Sequence, residues 1–225
     1  MGAEVVAGGA REEVLRRIRA ATGVASAADA GAVGAEWDAL PRNYKRTGSL
    51  ERATVLDMLE DRLRDYDATV ARVAPEDLAA AIAGALRERS KRRLVVPVGF
   101  TELLDQPLPS GFEFVVDDGM TADELDGFEG VVTGSTVAIA ETGTIVLQYV
   151  AGQGRRAATL IPDYHLCVVR AGDVVETVPE AMALLQSTAA LATTFVSGPS
   201  ATADIEMTRI KGVHGPRFLD VLLVE

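Results

Sequence analysis

Apolar positions recur at two different periods along this chain. Val55, Leu56, Leu59, Leu63 and Tyr66 fall on one helical face, which predicts a helix over 50–66 with Ser49 as its cap. A shorter helix is predicted over 11–21, with Val14, Leu15 and Ile18 on one side. Between these, 22–34 is rich in Ala and Gly without a periodic face and reads as a flexible link. Trp37, Leu40 and Tyr44 read as an arm packed onto the following domain. Pro75 suits the first turn of a helix over 76–88, where its missing N–H removes no needed bond. Thr121 with Glu124, and Thr177 with Glu180, have capping-box spacing, so helices are predicted after each, the second reaching about residue 192.

Short apolar runs of strand length lie at 68–70, 94–96, 112–116, 137–140, 144–150, 166–169, 193–196 and 218–224. A turn at Gly172-Asp173 leads into Val174-Val175. Short apolar strands alternating with helices indicate an α/β fold, a mostly parallel sheet covered by helices on both faces. The runs at 137–140 and 144–150 are separated by the Glu141-Thr142-Gly143 corner and add an antiparallel portion. The expected organisation is an N-terminal helix and flexible arm over 1–46, then one α/β domain over 47–225.

Composition narrows the partners. The 225 residues carry a net charge of −11, which repels nucleic-acid backbones and anionic membrane surfaces. No basic leader precedes an apolar run, and Met1-Gly2 is followed by Val6 where a myristoylation pattern needs Ser or Thr. The weakly polar run over 181–196 is too short and too polar to span a bilayer. A cytoplasmic location is expected. Cys167 is the sole cysteine, so this chain makes no internal disulfide and cannot ligate an iron–sulfur cluster. Set in the apolar run at 166–169, Cys167 reads as a small buried hydrophobe.

Candidate chemistry sits in three places. After the strand at 193–196 come Ser197, Gly198, Pro199 and Ser200, then a predicted helix start over 203–208 with Ser200 or Thr202 as cap. A helix N-terminus with small neighbours can hold an anion. Ser197, Gly198, Ser200 and Thr202 are therefore expected to line a small pocket, with Glu141 and His214 nearby. On that reading Gly198→Val fills the pocket and spares the core. Glu141 leaves the end of a buried strand, where Thr142 and Gly143 give a substrate room. A carboxylate there is suited to proton transfer or nucleophilic attack, or else it accepts hydrogen bonds from turn N–H groups. His214 lies between Gly212 and Gly215, where backbone can approach closely, and His165 precedes a strand; each can titrate near neutrality or serve structurally. Gly152-Gln153-Gly154-Arg155-Arg156 offers Arg156 to a carboxylate or phosphate. Walker, dinucleotide and Gly-x-Ser-x-Gly patterns are missing, and no helical His pair suggests zinc. Thus Glu141 and His214 are the candidate catalytic residues. Thr142, Gly143, Arg156, Ser197, Gly198, Ser200, Thr202 and Gly215 are the candidate ligand-binding residues, with no metal site.

Three ordered stretches carry a resemblance. They are 197–225 (SGPSATADIEMTRIKGVHGPRFLDVLLVE), 132–147 (VTGSTVAIAETGTIVL), and Tyr44-Lys45-Arg46 through Asp65-Tyr66-Asp67-Ala68-Thr69-Val70. Together they resemble the lactate-utilisation protein C family (LutC, the LUD domain), from about Arg11 to Glu225. The resemblance implies the fold shared by sugar-phosphate isomerases and CoA transferases (NagB/RpiA/CoA-transferase-like). It also implies a role in oxidising L-lactate to pyruvate with separate iron–sulfur subunits. A small anionic ligand, no cofactor on this chain, and a possible homo-oligomer complete that expectation. A stand-alone CoA-transferase-like or sugar-phosphate enzyme using Glu141, or a non-catalytic binding module, are the competing expectations.

Overall fold

The structure is a computed structural model that describes residues 7–23, 30–104, 106–202, 210–211 and 215–225. The chain divides into two compact units, residues 1–44 and 45–225. The first holds α1 (Ala7–Thr22) and α2 (Ala30–Ala39). The second helix replaces part of the flexible link expected there, since alanine favours helix even without an amphipathic face.

In the second unit, α3 spans Arg52–Asp65, with Glu51 at its cap position and no side-chain cap bond. Ser49, the expected cap, instead donates its backbone N–H to Glu176. Six parallel strands form the main sheet. They are β1 (Thr69–Val73), β2 (Arg93–Pro97), β3 (Glu113–Asp117), β4 (Gly130–Thr133), β7 (Tyr164–Arg170) and β12 (Phe218–Val224). Their order is β1-β12-β7-β4-β2-β3. Both faces are covered, which is why β7 is buried at every residue but its last. Tyr164, Leu166 and Val168 pack with Leu78, Ile82 and Leu86 of α4 (Leu78–Glu88). Cys167 and Val169 point the other way, toward Leu59 and Leu63 of α3. The two-residue side-chain period of a strand sorts these residues between the faces.

The antiparallel portion is a separate sheet rather than an edge of the main one. Its order is β8-β5-β6-β9, from β5 (Val137–Ile139), β6 (Thr144–Gln148), β8 (Val174–Val175) and β9 (Thr193–Val196). Ala138, Ile145 and Leu147 face the main sheet. Val137, Ile139 and Val146 face α6 (Val178–Leu185). Both capping boxes form, at Thr121 ahead of α5 (Ala122–Asp126) and at Thr177 ahead of α6. Helix α6 stops short of residue 192. Thr188 Oγ1 donates to the Leu185 carbonyl at 3.2 Å, and residues 186–188 tighten into a 3-10 turn. The predicted helix over 203–208 lies outside the described residues. Just before it, β10 (Ala201–Thr202) pairs antiparallel with β11 (Ile210–Lys211).

Candidate functional site

Between the two sheets lies a cavity of about 280 Å³. Its floor is His165 and Leu219, register partners near the starts of β7 and β12. One wall is the end of β9 and the turn after it, with Ser197, Gly198, Pro199 and Ser200. Gly215 and Pro216 close another side, and Arg156 with Thr159 forms the rim.

The turn is held firmly. Gly198 has φ +79°, and a Cβ there would lie 2.7 Å from the Tyr66 carbonyl oxygen. Gly198 is glycine because the turn closes against the end of α3 in a left-handed conformation. This corrects the expectation that Gly198→Val would merely fill the pocket. Ser197 Oγ lies 2.8 Å from Thr144 Oγ1, and the Ser200 N–H donates to the Pro216 carbonyl at 2.8 Å.

Two adjacent arginines have opposite fates. Gly154, at φ +72°, packs the loop onto Pro97. Arg155 then turns inward and forks onto Asp117, with Nε–Oδ2 and Nη2–Oδ1 both at 2.8 Å. Arg156 turns to the cavity. Its Nη1 donates to the Thr159 carbonyl and Oγ1, both at 3.2 Å. Among the described residues no carboxylate pairs with it, and no hydrogen bond uses its Nε or Nη2. The walls desolvate the guanidinium and lower its pKa from the ordinary value, which leaves it charged. The free edge has the planar two-donor geometry that Arg155 uses on Asp117.

His165 is 2% exposed. Burial first, and the Arg156 charge second, push its pKa down to about 4, so the ring is neutral at ordinary pH. Its Nε2 lies 2.8 Å from Thr133 Oγ1. Cys167, two residues on, is buried, and burial pushes its thiol up to about 12; Thr133 Oγ1 lies 3.7 Å from its sulfur. Such a thiol is inert as a nucleophile.

The cavity therefore gathers five of the residues singled out in the sequence: Arg156, Ser197, Gly198, Ser200 and Gly215. Thr202 contributes its backbone to β10, and His214 lies outside the described residues. Glu141, Thr142 and Gly143 do not line the cavity. Glu141 is exposed beside Lys45, 3.8 Å from its Nζ. Gly143, at φ +57°, is backed by Arg62 of α3, where a Cβ would lie 2.7 Å from the Arg62 Cβ. The corner expected to admit a substrate is thus a packed contact with α3. A chain of hydroxyls joins it to the cavity wall, from Thr142 to Thr144 to Ser197, each step 2.8 Å. His165 and Thr159 are the residues that sequence reasoning underweighted. The signal for His165 was one polar side chain within the otherwise apolar run of β7. Among the described residues no three of His, Cys, Asp and Glu gather as metal ligands. No described helix is long and apolar enough to cross a membrane.

The sequence model of the LUD domain matches residues 56–224. "Lactate utilization protein C" of Deinococcus radiodurans is 43% identical over 195 residues, covering 85% of this chain and 89% of that protein. The protein of the same name from Bacillus pumilus is 26% identical over 235 residues, covering 96% of each. A crystal structure of a duf162 family protein from Deinococcus radiodurans superposes with a TM-score of 0.68 at 40% identity, covering 79% of this chain and all of that one. On the length of the domain match and the identity of these relatives, the chain belongs to the LUD domain family.

Proposed function

We propose that this chain serves in L-lactate utilisation, in the oxidation of L-lactate to pyruvate with separate iron–sulfur subunits, and that its part is to hold a small carboxylate. The relatives named lactate utilization protein C support the place in lactate utilisation. A single cysteine, buried in β7, supports placing the cluster chemistry on other chains. The observation that carries the second half is the edge of Arg156 that no described residue uses, at the mouth of a hydroxyl-lined cavity. In a chain of net charge −11, an anion needs such a local cation to be held. The geometry gives less support to acyl transfer through Glu141, whose carboxylate is exposed and outside the cavity.

Deleting the gene should stop growth on L-lactate and spare growth on pyruvate. A copy carrying Arg156→Gln should fail to restore growth on lactate while the protein melts near the wild-type temperature. Normal growth of the deletion strain on lactate would sink the pathway role. Full rescue by Arg156→Gln would sink the carboxylate reading.

A further inference from the structure

The ring of His165 has one nitrogen inside the protein's hydrogen-bond network and one outside it. Nε2 faces Thr133 Oγ1 at 2.8 Å. Among the described residues no hydrogen bond reaches Nδ1, and no sealed side-chain nitrogen or oxygen lacks a partner. Nδ1 therefore opens onto the cavity that His165 lines.

The neighbours decide which nitrogen carries the proton. Thr133 is fully buried, and its hydroxyl hydrogen has two acceptors to choose from. Nε2 is 2.8 Å away, and Cys167 Sγ is 3.7 Å away. Sulfur is the weaker acceptor as well as the farther one, which favours donation from Thr133 to Nε2 over donation to sulfur. In that tautomer the ring proton sits on Nδ1 and points into the cavity. Burial first, and Arg156 second, discourage a second proton, so the ring stays neutral. The floor is thus a neutral N–H, and the rim is a guanidinium fork. Such a pair fits a ligand with a carboxylate at one end and one more acceptor oxygen beside it.

We propose that His165 is a binding residue that donates Nδ1–H to the oxygen on the carbon next to the carboxylate, so that the site prefers 2-oxo and 2-hydroxy carboxylates to plain ones. This inference rests on the carboxylate reading of Arg156 and deepens it. Thr133 acts through His165 as a positioning residue, fixing the tautomer from behind.

Calorimetric titration of the purified chain with pyruvate, L-lactate and propionate tests it. Pyruvate and L-lactate should bind about tenfold more tightly than propionate, the scale of one hydrogen bond made inside a protein. His165→Gln keeps an amide near Thr133 but has no donor at the Nδ1 position, and should bind all three at the propionate level. His165→Asn puts an amide N–H near the Nδ1 position and should restore part of the preference. Thr133→Val, away from the cavity lining, should narrow the preference and leave propionate unchanged. Equal binding of the three acids by the wild type, with all weakened by Arg156→Gln, would overturn the role of His165 and leave the carboxylate reading standing. No binding of any acid would overturn both. Should His165→Gln fail to fold, an undiminished preference in Thr133→Val would itself overturn the tautomer argument.

Discussion

His165 and Arg156 fix each other's chemistry. Burial and the guanidinium together keep the ring neutral, which leaves the guanidinium as the only charge among the described residues that line the cavity. Among the described residues the groups facing His165 are Arg156 from the rim, Thr133 from β4, Cys167 from its own strand and Leu219 from β12, and of these only Arg156 is charged. This arrangement has a consequence for stability. In the unfolded chain the ring takes a proton near 6.5, and in the native chain only near 4. Between those values the unfolded state binds more protons, so stability falls as pH falls. The contribution is whole above pH 6.5 and is lost progressively toward pH 4. At pH 5 the loss is on the order of 2 kcal/mol, from about 1.4 kcal/mol per pKa unit. Urea unfolding at pH 8 and pH 5 reads this difference, and His165→Gln should reduce it. An unchanged difference in that variant would assign the titration to another group.

At the level of elements, the turn after β9 ties the small sheet to α3 through Gly198 and Tyr66. A valine there requires a left-handed backbone and a side chain where Tyr66 already sits. Gly198→Val should therefore destabilise the chain by several kcal/mol, on the order of 2–4 from strain and overpacking together. A loss of carboxylate binding at unchanged melting temperature would contradict this and return the glycine to the cavity. The same elements show what could be read in advance. The capping boxes at Thr121 and Thr177 and the strand at 218–224 were legible because their signals are local. The strand β4 was not, since four residues opening on Gly130 carry little pattern, and its strand character comes from pairing with β2 and β7. The second sheet was hidden for a related reason. Its parallel pairing of β5 with β8 joins residues some 36 positions apart, from Ala138 to Val174. At the site, Ser197, Gly198, Ser200 and Gly215 were visible because small residues mark close backbone approach. The meeting of Arg156 with His165 was not visible, because the register of β7 with β12 and the course of the loop after β6 decide it.

Across the whole molecule, the cavity lies where the six-stranded and four-stranded sheets meet. Its floor belongs to one sheet and its wall to the end of a strand in the other. Pocket and seam coincide, so a ligand there contacts both layers at once. Binding to the native state alone adds RT ln(1 + [L]/Kd) to stability, about 2.7 kcal/mol at one hundred times Kd. For a chain of this size that corresponds to a rise in melting temperature of roughly 5–10 °C. Saturating pyruvate should produce such a shift in the wild type and almost none in Arg156→Gln. Hydrogen exchange then places the ligand. Protection should grow at residues 156–159 and 197–200, on the two walls, and stay unchanged at residues 141–143, the corner packed on α3. Protection gained at 141–143 with none at 156–159 would move the ligand to Glu141 and overturn the seam as its place. A melting shift that persists in Arg156→Gln would show that the guanidinium is not what holds the anion.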